Sequence, residues 1–361
     1  MKNIDSKKIL VPILAVVAGF IVGGILMLIF GYNPFYGYED LFGGAFGNAR
    51  AIGETVQTMG PLILTALAFS VSMKAGLFNI GMSGQALAGW MSSIWFALAF
   101  PDLPRIIMIP AVIIVGMIFG AFMGLIPGWL RAFFGTSEVI VTIMLNYVLL
   151  YFTQYLMTIM PKHFLQAQST DQTNQIGQNA TFRVHWLSNL TNFSTLNIGI
   201  FMALIALIIM AIIFSKTTLG FEIKSVGLNP NAAEYAGISA KRTIIMSMVV
   251  AGALAGLGGV VYGIGFMQNF VNQSASLDIG FNGMAVALLG ENNPIGILFA
   301  ALLFSLLQTG AGNMSNIDGI PPQIVQVITA IIIFFIAIKF VIEKIIPNLK
   351  ARKAKMEGEQ A

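Results

Sequence analysis

The residues that could do chemistry in this sequence fall into three sets, and none of them is a catalytic cluster. Glu138, Thr142 and Asn146 recur at every fourth position, with Thr153 seven residues further on. That spacing puts them on one face of a helix. Their surroundings are apolar, where an unpaired polar group is costly. The face therefore either lines a water-filled path or binds helices together. The second set comprises Asn79, Ser83, Gln85 and Asn282, which sit in two related decapeptides, NIGMSGQALA at 79–88 and DIGFNGMAVA at 278–287. The third is the polar stretch 216–242, which carries Lys216, Glu222, Lys224, Glu234, Lys241 and Arg242. Within it, Asn229-Pro230-Asn231 has the chemistry of a helix start: Asn can cap, and Pro at the first position loses no needed N–H. The short helix that follows should stop at Gly237, which can take the left-handed conformation. Small residues at Ala232 and Ala233 suit close seating in a cleft of another protein, with Glu234 placed to pair with a basic group there; the alternative reading is an ordinary cytoplasmic loop.

Other chemistries are excluded by what the chain lacks. There is no cysteine, so no thiol catalysis, disulfide or cysteine metal site can form. His163 and His185 are the only histidines, too few for a metal cluster. No G-x-x-x-x-G-K-[ST] loop occurs, so the chain is not a P-loop ATPase by itself. No Ser/His/Asp set or carboxylate pair stands in a plausible site. No residue is assigned a catalytic role, and no cofactor is expected on the chain.

The elements that must position these residues are membrane helices. Of 361 residues, 57% are hydrophobic and 9% charged, against a usual charged share of about 25%. That composition predicts an all-α polytopic membrane protein forming one transmembrane domain over 1–361. The sequence pI near 9.2 is no sign of nucleic-acid binding. Apolar runs predict spans at 9–30, 57–73, 76–100, 105–126, 138–160, 196–214, 243–266, 294–312 and 321–340. Segment 280–290 reads as a half-helix and makes about ten crossings. The first run is too long for a signal-peptide core and reads as a retained span. Segment 33–54, rich in Tyr, Phe and Gly, suits the outer interface. Segment 161–195 reads as an extracellular loop, 216–242 as a cytoplasmic one and 343–361 as a cytoplasmic tail. With the N-terminus inside, fifteen Lys and Arg fall on the cytoplasmic side and four outside, which fixes the expected orientation at the cell membrane. The two decapeptides would then run in opposite directions. That reads as an inverted repeat, whose Gly-interrupted segments point to a translocation path; the alternative is chance similarity between small-residue helices.

Three stretches then carry a resemblance: GLFNIGMSGQ at 76–85, VGLNPNAAEYAGI at 226–238 and GMAVALLGENNPIGI at 283–297. They resemble the permease subunits of bacterial ABC importers for branched-chain amino acids, ribose and simple sugars, and most of all those for nucleosides. The likeness covers most of the chain. It implies a type II-like importer fold of about ten helices, here the larger of two permeases. It also implies a second permease as heterodimer partner, a cytoplasmic ABC ATPase that holds ATP and Mg, an external substrate-binding lipoprotein, contact with membrane lipid and a nucleoside substrate. The ATPase-coupling pattern of the family maps onto Gly227, Asn229, Ala232, Ala233, Glu234 and Gly237. No equally firm substrate pattern carries over. Asn79, Ser83, Gln85, Thr142, Asn146 and Asn282 stand as path residues from their own chemistry, and Tyr147 and Phe152 as possible stacking partners for a base. A ribose-type sugar permease is the alternative cargo reading. An ion-coupled secondary transporter would have to rely on Glu138, the only candidate buried carboxylate.

Overall fold

The structure, a computed structural model, describes residues 6–167 and 169–335. In chain order it has α1 (Ser6–Ile29), α2 (Pro34–Phe46), α3 (Ala49–Lys74), α4 (Met82–Ala99), α5 (Arg105–Phe134) and α6 (Glu138–Ile159). A short antiparallel pair follows, β1 (Leu165–Gln166) and β2 (Ser169–Thr173), then α7 (His185–Leu190), α8 (Gly199–Lys216), α9 (Thr218–Leu228) and α10 (Pro230–Tyr235). The chain continues through α11 (Ala240–Val260), which runs on into a π-helical turn at Val261–Met267, α12 (Asp278–Leu289) and α13 (Pro294–Asp318). A further apolar helix occupies Gln323–Phe335.

Two compact units divide these elements. One comprises residues 1–44 and 310–361. Among its described residues, Gly19 and Gly23 of α1 lie against Ile332 and Ile328, and the Tyr38 hydroxyl donates to the Phe20 carbonyl.

The other unit, residues 45–309, holds the three residue sets. Its centre is α11, packed on α3, α4 and α5. Small residues let these backbones touch where no water is squeezed out to drive association. A Cβ added at Gly256 would lie 2.4 Å from the Gly116 carbonyl, and one at Gly120 would lie 2.3 Å from that of Gly252. Gly89 of α4 meets the same turn of α11, so three helices converge there.

Among the described residues, six helices are long and apolar enough to cross a membrane: α3, α5, α6, α8, α11 with its π-helical turn, and α13. That makes the chain a multi-pass membrane protein. The other expected crossings are shorter or interrupted apolar stretches. The third span, expected from residue 76, becomes helical only at Met82, and α12 has 12 residues, about 18 Å against the roughly 30 Å of a bilayer core. The stretch 33–54 holds α2 and the first turns of α3. The expected loop 161–195 holds β1, β2 and α7, so a small sheet joins an otherwise helical fold. The tail at 343–361 lies outside the described residues.

Candidate functional site

The polar face of α6 faces the break before α4. Residues 76–81 leave the helical path between α3 and α4, so several of their backbone groups lack helical partners. The α6 face supplies partners for some of these. Glu138 accepts from the Phe78 N–H (3.3 Å), Thr142 from the Ile80 N–H (3.3 Å) and Asn146 from the Gly84 N–H (2.8 Å). The Asn146 amide also donates to the Ile80 carbonyl at 2.9 Å. Arg131 stands 3.4 Å from the second Glu138 oxygen. Asn79 caps Gly81 at 2.9 Å and donates to Gln85 at 3.2 Å. All of these side chains but Arg131 are buried.

The break also meets the start of α12. Ser83 donates to the Leu277 carbonyl at 2.8 Å, and a Cβ at Gly280 would lie 2.4 Å from the Ser83 nitrogen. The N-terminal ends of α4 and α12 thus abut. These are the two segments whose sequences repeat. On α3, Thr65 donates to the Ile279 carbonyl at 2.9 Å and holds the same joint. Asn282 is half-buried one turn into α12.

The 216–242 stretch forms two short helices. Asn229 caps Ala232 at 3.1 Å, and Pro230 opens α10. The exit is a Schellman stop: Gly237 at φ +82° donates to the Glu234 carbonyl, and Ile238 reaches back to the Ala233 carbonyl, both at 3.0 Å. Ala233 is 4% exposed and packs on Val226 and Ala240 of its own chain. It does not face outward, which corrects the expectation that it seats in a partner's groove. A period of 3.6 turns Ala233 inward and leaves Ala232, Glu234 and Tyr235 exposed. Leu228 and Tyr235 are 88% and 95% exposed. Gly227 lies against the end of α3, where a Cβ would come within 2.1 Å of the Lys74 carbonyl oxygen.

A cleft of about 420 Å³ opens on α3, α12, α13 and the π-helical turn. Glu54, Gln57 and Thr58 line it from α3, Gln308 and Thr309 from α13, and Tyr262 and Phe266 from the π-helical turn. Pro61, Leu62 and Ile279 make an apolar end, beside the joint. Pro61 has no N–H, so the Gln57 carbonyl loses its usual helical donor at this level. The π-helical turn is fixed by its neighbours. Tyr262 packs edge-on to Trp90 at 5.1 Å, Trp90 donates to the Asn269 carbonyl at 2.9 Å, and Arg183 donates to the Phe266 carbonyl at 3.1 Å. Burial lowers the Arg183 pKa, though a guanidinium stays charged even so. Among the described residues no group of three or more His, Asp or Glu side chains is placed to hold a metal ion.

Residues 51–337 match the family model described as branched-chain amino acid transport system / permease component. The chain belongs to this permease family. It is 69% identical over 364 residues to the nucleoside ABC transporter permease protein NupB of Lactococcus lactis, covering 99% of this chain and all of that one. It is 40% identical over 349 residues to the guanosine ABC transporter permease protein NupP of Bacillus subtilis, covering 96% and 98%. A second Lactococcus lactis protein, the nucleoside ABC transporter permease protein NupC, is 26% identical over 300 residues, covering 80% and 91%. No solved structure matches the chain.

As an ABC permease the chain is a transport subunit and not an enzyme. The permease brings Asn79, Ser83, Gln85, Thr142 and Asn146 together, but at the joint; neither they nor Asn282 line the cleft. Tyr147 lies on the exposed face of α6. Phe152 lines a separate groove of about 650 Å³ with Trp95, Phe96 and Phe119, where Ser92 and Thr153 are the only hydroxyl-bearing side chains. The cleft residues of the permease were missed in the sequence. Glu54, Tyr262 and Gln308 come from three distant stretches, and no spacing links them. One signal was available: Tyr262 and Phe266 alone break the Gly-rich run with aromatic rings four residues apart.

Proposed function

We propose that this permease is the larger of two permease subunits in an ATP-driven importer for nucleosides, and that the 420 Å³ cleft is part of its translocation path. The observation that carries the cargo is the full-length likeness to a nucleoside permease. Similarity to both members of a named pair, NupB and NupC, supports a heterodimer. ATP and Mg belong to the partner ATPase, and an external lipoprotein delivers the substrate. Lysine and arginine placement supports cytoplasmic termini and puts the cleft on the outward half, where Glu54 precedes the inward-running part of α3. Counting α1, α4, α12 and the helix at Gln323–Phe335 as crossings or half-crossings gives ten. The abutting starts of α4 and α12 support an inverted repeat.

The mechanism follows from two contacts. ATPase closure presses on α10, whose exposed Ala232, Glu234 and Tyr235 offer the docking surface together with Leu228 at the end of α9. Asn229 and Gly237 fix its ends, and Gly227 transmits the push to the end of α3. There the push reaches the break at 76–81, whose hydrogen bonds to α6 carry it on to the joint below the cleft. Asn79, Ser83, Gln85, Thr142, Asn146 and Asn282 serve the path by holding that joint rather than by touching cargo.

The test is uptake of labelled uridine and guanosine by cells with and without the gene, under ATP depletion and under an uncoupler. Uptake should require the gene and ATP and resist the uncoupler. Uptake abolished by the uncoupler while ATP is held would favour an ion-coupled transporter instead, and competition by ribose alone would favour a sugar permease.

A further inference from the structure

We propose that the π-helical turn of α11 supplies the base-stacking wall of the cleft and that Glu54 of α3 reads the ribose hydroxyls. This rests on the nucleoside reading above. The walls differ in chemistry as the two ends of a nucleoside do. Tyr262 and Phe266 stand four residues apart on one wall, their ring centroids 6.0 Å apart and their planes at 40°. Phe266 is 41% exposed, an aromatic face left open on a turn that is otherwise clamped. The Trp90 edge contact and the Arg183 hydrogen bond hold the wall from behind, so it is rigid before cargo arrives. Such a face takes any base, since every base offers a π-surface. A π-helical turn suits this role because it is rare and re-aims side chains at functional sites.

Across the cleft, Glu54 accepts from Arg50 at 2.9 Å through one oxygen. An ionised carboxylate has about four lone-pair sites, so it can also accept from two neighbouring hydroxyls. The cis-diol of a ribose offers two such donors. Tyr262 and Gln308 add polar groups beside the ring, and Ile279 closes the end with apolar surface. The volume lies within the roughly 300–1,000 Å³ range of small-molecule sites.

The proposal predicts broad base tolerance and dependence on the diol. The assay is uptake by the complete importer, with its binding protein and ATPase, in membrane vesicles, with assembled complex quantified for each variant. Phe266→Leu should raise the KM for uridine roughly fivefold to a hundredfold, the span of one lost base–aromatic stack, and Phe266→Trp should recover most of that loss. Glu54→Gln should narrow the preference for uridine over 2′,3′-dideoxyuridine by about tenfold, the effect of a lost charge-assisted contact. Unchanged KM in Phe266→Leu, no recovery in Phe266→Trp, or an unchanged uridine to dideoxyuridine ratio in Glu54→Gln would overturn the proposal. A parent importer that takes up no nucleoside refutes the nucleoside reading instead, so the two failures are distinguishable.

Discussion

Substituting Gly227→Ala tests the coupling route most directly. The added Cβ would lie 2.1 Å from the Lys74 carbonyl oxygen, 2.9 Å from the Lys74 carbonyl carbon and 3.0 Å from that of Ala75. All three neighbours are backbone, so no side chain can rotate away. Ordinary C···O contacts lie at about 3.3 Å or more, so α9 must retreat from the end of α3 by roughly 1.2 Å. Overpacking of this kind costs about 1–3 kcal/mol. The better helix propensity of alanine returns roughly 0.5–1 kcal/mol. The net loss of about 0–2.5 kcal/mol leaves the protein folded and inserted. A displacement of this size nonetheless matches the helix shifts of about 1–2 Å that carry switching transitions. ATPase co-purification should stay near parental levels while nucleoside uptake per ATP hydrolysed falls about tenfold, the effect of roughly 1.4 kcal/mol lost from the coupled state. The assay is reconstituted importer with both rates measured on one preparation. Gly43→Ala is the control: it is helical and its Cβ would meet nothing within 4 Å. Gly227→Ala with parental thermal stability and parental coupling would refute the reasoning, because the contact would then not transmit.

Asn146→Leu should lower thermal stability in detergent by about 2–4 kcal/mol, because the Gly84 N–H and Ile80 carbonyl both lose their partner; reduced transport at unchanged stability would instead place Asn146 on the path. Tyr235→Asp should leave melting temperature unchanged yet reduce ATPase co-purification, as the ring is almost wholly exposed. Ala233→Trp should lower the melting temperature of the isolated permease, since the ring would displace α10 from Val226 and Ala240. Gly256→Val should abolish accumulation of folded protein in membranes, as its Cβ would lie 2.4 Å from the Gly116 carbonyl oxygen.

Much of this permease is legible in its residues because a membrane asks simple questions of a sequence. Long apolar runs locate α3, α5, α6, α8 and α11, since backbone groups in hydrocarbon must bond within their own helix. The cap at Asn229, the proline at the start of α10 and the stop at Gly237 are local chemistry and stand where their sequence places them. The four-residue spacing on α6 declares a polar face but cannot say what it meets. Tertiary structure decides that, by setting the open backbone at 76–84 opposite Glu138, Thr142 and Asn146. Ala233 shows the same division. Its small side chain signals close packing, yet only the fold of α9 and α11 around it shows that the surface it meets belongs to its own chain. The cleft is the extreme case. Glu54, Tyr262 and Gln308 lie more than 40 residues apart in sequence and share no period. Their meeting depends on the crossing of glycine-lined helices and on one π-helical turn, which are properties of packed backbones and not of any local stretch.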